Sequence, residues 1–111
     1  MTVKEAAAAL QLSLLCGDDS REITGVYVGD LLSRCMSRVE EGDLWITIMA
    51  NINAVAVAAL TDPALIVFCE DVEIGDDVLA KASENGIAIA RSAQDASALC
   101  VAYASIGGAA S

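Results

Sequence analysis

The period of the apolar positions changes repeatedly along this chain, and each change marks an element. Thr2-Val3-Lys4-Glu5 has the form of a capping box, which predicts a helix running through Leu10. Leu12 and Leu14 then alternate with polar residues, the mark of a strand that ends near Cys16, and 17–20 is a turn. Residues 23–28 are rich in β-branched side chains and read as extended. Asp30 is placed to N-cap a helix carrying Leu31, Leu32, Cys35, Met36 and Val39. Gly42 breaks that helix, and residues 44–48 predict a strand.

Asn51 or Asn53 caps the next helix, whose body, 54–60, is apolar on every side and is therefore expected to be buried on more than one face. Thr61-Asp62-Pro63 stops it, and 64–68 is a continuous apolar run of the kind found in covered parallel strands. Gly75-Asp76-Asp77 opens a helix over 78–85, with Gly86 as its left-handed terminator. Residues 87–90 form the last strand. Ser92-Ala93-Gln94-Asp95 starts a terminal helix with Ala96, Leu99, Cys100, Tyr103 and Ile106 facing inward, and 107–111 should fray. From Leu44 onward strand and helix alternate, so the fold class is α/β: right-handed crossovers, a mostly parallel sheet and flanking helices. At 111 residues this is one domain, 1–111.

Composition narrows the function. The net charge is −10, and the six basic residues are scattered, so the basic stripe that neutralises nucleic-acid phosphates is missing and an anionic membrane surface would be repelled. No apolar run approaches the roughly 20 residues of a bilayer span. Cys16, Cys35, Cys69 and Cys100 are far apart with no C-x-x-C pair, and they read as buried free thiols in a reducing cytoplasm. Leu15 before Cys16 is not the small residue of a lipoprotein cleavage site, and no basic leader precedes it. The chain has no histidine, and no nucleophile stands beside a base.

Open α/β sheets place ligands beyond the strand carboxyl ends, which here means Thr47 to Asn53, Cys69 to Asp71, and Arg91-Ser92. Asn51, Asn53, Thr47, Arg91 and Ser92 could bind a small polar ligand there, or serve only as caps and turn residues. Arg21 and Thr24 before Gly25 could form an anion-binding turn, or an ion pair and a loop bond. The acidic pairs Asp18-Asp19, Glu40-Glu41 and Asp76-Asp77 are the kind that usually lie solvated at turns. No phosphate-cradling glycine loop occurs, and no cofactor is implied.

Taken together, Arg21-Glu22-Ile23-Thr24-Gly25, Tyr27-Val28, Asp30 to Ser33, Gly42 to Thr47 and Asn53 to Ala58 resemble the DRTGG domain over nearly the whole chain. Ser20 stands where the family tends to have aspartate, Val26 where it has the second glycine, and Asn51 where many members have histidine. The resemblance implies an α/β module similar to the N-terminal domain of HPr kinase/phosphorylase, used as a regulatory insert beside CBS domains in regulated pyrophosphatases. The expectation is a non-enzymatic regulatory or assembly module, a homodimer. The alternative is a sensor of a nucleotide or phosphate compound using Arg21, Thr24, Gly25, Thr47, Asn51 and Asn53.

Overall fold

The chain builds one five-stranded sheet between two layers of helices; the computed structural model describes residues 1–108. In chain order the elements are α1 (Val3–Ala9), β1 (Ser13–Cys16), β2 (Gly25–Val28), α2 (Leu32–Arg38), β3 (Asp43–Thr47), α3 (Ile52–Thr61), β4 (Leu65–Phe68), α4 (Asp76–Glu84), β5 (Ile89–Arg91) and α5 (Ala96–Ser105). The spatial order is β1-β5-β4-β3-β2, with β2 to β5 parallel and β1 antiparallel to β5 at the far edge. The parallel part thus begins one strand earlier than the alternation from Leu44 suggests.

Strand alternation assigns the core to two faces. Leu44, Ile46, Leu65, Val67 and Ala90 point to one face, where Val3, Ala6 and Leu10 of the first helix and Leu99 and Tyr103 of the last cover them. Trp45, Ile66, Phe68 and Ile89 point to the other, covered by α2, α3 and α4. The three crossovers from β2 to β5 all advance in one direction, which for a right-handed connection puts all three helices on the same side. Every residue of β3 and β4 is buried, and apart from Asp43 and Thr47 at the two ends of β3 every one is apolar.

Caps confirm the sequence reading in several places. Thr2 Oγ1 accepts from Glu5 N at 3.2 Å while Thr2 N donates to Glu5 Oε1 at 2.8 Å. Asn51, not Asn53, caps α3, its Oδ1 accepting from Asn53 N at 2.9 Å and Ala54 N at 3.1 Å. Asp95 caps α5, and Gly86 at φ 66° follows the C-cap of α4.

Four expectations are corrected. Asp30 does not cap α2: its carboxylate is taken by Thr47 Oγ1 at 2.9 Å and Ile48 N at 2.8 Å, so the N-cap position falls to Leu31, which makes no side-chain cap bond. The apolar helix α3 buries only one face, and Ile52, Ala56, Ala59 and Leu60 are exposed. Ile106 is the exposed C-cap of α5 rather than a core residue, because the helix ends there. The segment after it does not fray at 107–108: Gly107 N donates to Ala104 O at 3.1 Å and Gly108 N to Tyr103 O at 2.9 Å, a Schellman closure. Residues 109–111 of that expectation lie outside the described residues.

Trp45 is fully buried at the centre of the α2–α4 face, and its Nε1 donates to Gly29 O at 3.1 Å. Trp45→Phe removes that donor and leaves a small void, so the urea midpoint is expected to fall by the equivalent of about 1–3 kcal/mol, with the cooperativity of unfolding retained.

Candidate functional site

The residues 17–24 cross beneath the amino ends of the sheet, from the β1 edge to the β2 edge, and touch the strands in turn. Gly17, at φ 100°, lies so close to Ala88 at the entry to β5 that any Cβ would strike its backbone. Arg21 holds the entry to β4: its guanidinium donates to Asp62 Oδ1 at 2.8 Å, Asp62 Oδ2 at 3.1 Å, Asp62 O at 2.9 Å and Pro63 O at 3.3 Å. Asp62 is itself the left-handed C-cap of α3. Thr24 holds the entry to β3, with its N donating to Gly42 O at 3.0 Å and its Oγ1 to Glu41 O at 3.3 Å. Gly42, at φ 84°, has no room for a Cβ against Thr24 Oγ1. Gly25 is buried at the start of β2, opposite Asp43. Arg21, Thr24 and Gly25 therefore form a strap, and the donors of the first two are spent on backbone carbonyls and Asp62.

Thr47, Asn51 and Asn53 lie at the opposite end. Thr47 is buried; its hydroxyl donates to Asp30 and accepts from Met49 N at 3.2 Å. Asn51 is half-buried in its capping role, and Asn53 is exposed on the first turn of α3. The six residues picked out by sequence thus divide three and three between the two ends of the sheet. At about 3.3 Å per residue these ends are on the order of 15 Å apart, so the six do not converge on one ligand.

The loops after β4 and β5 turn to opposite faces of the sheet, toward α4 and α5, and this is the topological switch where a crevice belongs. In this chain it is laced together. Glu70 N donates to Gln94 O and Asp71 N to Ser92 O, each at 2.8 Å. Arg91 donates to Val72 O at 3.1 Å and Asp71 O at 3.0 Å, and its guanidinium pairs with Asp71 Oδ1 at 3.1 Å. These bonds hold Glu70 and Asp71 in consecutive left-handed conformations, φ 61° and 56°, that side-chain-bearing residues seldom adopt. No enclosed pocket is found among the described residues.

The thiols are divided between the faces, Cys69 and Cys100 on one and Cys16 and Cys35 on the other. Burial pushes the Cys35, Cys69 and Cys100 thiols up from their ordinary value, with nearby Asp30 and Glu70 adding to the first two respectively, so they are protonated at neutral pH. Among the described residues no group of three or more His, Cys, Asp or Glu could hold a metal ion. Sequence reasoning gave Asp30 another role and assigned none to Asp43, each of which holds the scaffold together. The only signal for Asp43 is its place at the head of a strand whose next three residues are apolar.

Asp43 is buried, and its Oδ2 accepts from Glu40 N at 2.8 Å. Burial raises its pKa above the unfolded value, Glu40 adds to the rise, and the backbone bond offsets only part of it. A carboxyl with a raised folded pKa binds protons more readily in the native state. Its contribution is therefore most favourable below the unfolded pKa, about 3.9, and is lost as pH rises through the folded value. Asp43→Asn keeps an acceptor for Glu40 N without the charge. Its urea midpoint should equal or exceed that of the parent at pH 7, with any gain vanishing near pH 3, when midpoints are measured across pH.

No family model matches the chain, and no curated protein matches it. A solved structure does: the CBS and DRTGG domains of the regulatory region of Clostridium perfringens pyrophosphatase, complexed with the activator diadenosine tetraphosphate. The TM-score is 0.69 at 13% identity, over 90% of this chain and 44% of that one. This chain thus spans less than half of its neighbour, and at such low identity what the two share is the fold. The α/β architecture described above is DRTGG-like.

Proposed function

We propose that this chain is a regulatory and assembly module that acts by association as a homodimer and makes or breaks no bonds itself. The supporting observation is α3. Its ten residues, Ile52–Thr61, include no charged side chain, yet Ile52, Ala56, Ala59 and Leu60 form a stripe on its outer face, with Leu60 74% exposed. An uncharged stripe on a protein of net charge −10 is self-complementary in the way a two-fold interface requires, since small alanines let two such helices approach closely. The consumption of Arg21, Thr24, Asp30 and Arg91 in bonds that hold the scaffold together supports the non-catalytic part of the reading. Kinship with the HPr kinase N-terminal domain and a cytoplasmic location belong to the same reading.

A second reading, a sensor of nucleotides or phosphate compounds, draws on the neighbour, a regulatory region solved with diadenosine tetraphosphate. Of the two groups of candidate residues, Thr47, Asn51 and Asn53 suit it better, because they surround the N-terminus of α3, where backbone amides and the helix dipole favour an anion.

Sedimentation equilibrium at tens of micromolar, roughly the range in which weak dimers form, should give a dimer, and Leu60→Glu should convert it to a monomer that still unfolds cooperatively and whose melting temperature no longer depends on protein concentration. A parent protein that sediments as monomer throughout removes the assembly reading. For the sensor, diadenosine tetraphosphate at 100 times its Kd should stabilise the fold by about 2.7 kcal/mol in a thermal-shift assay. An unchanged melting temperature across a nucleotide panel removes that reading.

A further inference from the structure

β2 is an edge strand with an open side. Its entry is covered, since Ile23 N donates to Met1 O at 2.8 Å. Asp43 O and Thr47 O are taken from the β4 side by Ala64 N and Cys69 N, so Leu44 and Ile46 turn their backbone groups toward β2, where Gly29 N donates to Ile46 O at 3.2 Å. Gly25 and Tyr27 share that direction, and alternation leaves the N–H and C=O groups of Val26 and Val28 facing away from the sheet.

α2 lies over this edge. Leu32, Cys35 and Val39 face the core, which leaves Leu31, Arg34 and Arg38, at i, i+3 and i+7, on a common flank. In a right-handed crossover that flank is the one turned away from α3, above the open side of β2. Leu31 is 68% exposed and Arg34 and Arg38 are exposed, while on the opposite face of the same edge, by alternation with Tyr27, Val28 is 42% exposed. Of the other four basic residues, three are paired among the described residues and Lys4 is not. Arg21 pairs with Asp62, Arg91 with Asp71 and Lys81 with Glu84, whereas neither Arg34 nor Arg38 makes a side-chain hydrogen bond or ion pair among the described residues. Two uncommitted guanidiniums thus stand together on a chain with 16 acidic residues and 6 basic ones.

We infer that the β2 edge receives an extended acidic segment of a partner protein as an added strand, with carboxylates on alternate residues facing Arg34 and Arg38. The open backbone groups of Val26 and Val28 call for an extended chain. The spacing fits as well: four helical residues rise about 6 Å, and two strand residues about 6.6 Å, so alternate carboxylates match the two arginines. The intervening apolar residues of the segment would lie on the other face, beside Val28. A second copy suits this edge poorly, because a two-fold axis through it would bring Arg34 against its own counterpart. The nearest carboxylates of this chain, Asp30 and the Glu40-Glu41 pair, are respectively held by Thr47 and Ile48 and placed beyond the C-cap at Val39. This inference does not depend on the α3 stripe.

The test is fluorescence anisotropy with a labelled peptide of about eight residues alternating valine and glutamate, long enough to cover the edge. Saturable binding is expected, weakened roughly tenfold or more by R34A/R38A and by raised salt, and unchanged by K81A. The same peptide N-methylated at every second backbone amide keeps its charges and should not bind. Four results would overturn the inference: no saturation at millimolar peptide, equal binding to R34A/R38A, equal binding of the N-methylated peptide, or a dimer that R34A/R38A strengthens, which would make a second copy the occupant.

Discussion

Burial of β3 and β4 on both faces is the constraint from which the other features follow. A strand covered on two sides cannot leave a backbone group unpaired or carry a polar side chain without a partner, so neighbours must flank it and helices must lie above and below. Asp43 and Thr47, the polar residues that bracket β3, meet this demand through Glu40 N and Asp30. The three crossovers place α2, α3 and α4 on one face, and α1 and α5 close the other.

The stretch from Ser20 to Thr24, which looks most like a signature, is explained by the same constraint. It spans the amino ends of the parallel strands, where helices and strands exchange and backbone groups are left over. Arg21 satisfies carbonyls there, and Thr24 fills the space left by Gly42. A motif of this kind can be characteristic of a fold without touching a ligand.

Much of the fold was legible in the sequence because caps and apolar runs are local signals. The Thr2–Glu5 box, the Asn51 cap, the stop at Asp62 and the buried run through Phe68 each stand where their chemistry places them. The errors arose where a long-range partner outbid a local one. Asp30 has good cap chemistry but lies within reach of Thr47 and Ile48 on the neighbouring strand, and a charged acceptor gains more from two such donors than from one amide. The division of the candidate site into two ends could not be read either. Arg21 and Thr24 precede a strand while Thr47 and Asn51 follow one, but which end of the sheet each meets depends on strand order. The uncommitted state of Arg34 and Arg38 was likewise invisible, since it is a property of what does not lie opposite them.

The antiparallel strand at the sheet's far margin has a consequence for how the chain is made. β1 pairs only with β5, Ser13 opposite Arg91. Nearly all of this domain must therefore be synthesised before β1 finds its strand partner. The crossovers from β2 to β5 join near neighbours in sequence and can assemble first, whereas β1 closes a loop that encloses all of them and is held back by its entropy. On a ribosome, Leu12 to Leu15 would wait in the open until β5 emerges, so this segment is where a holding chaperone has most to protect.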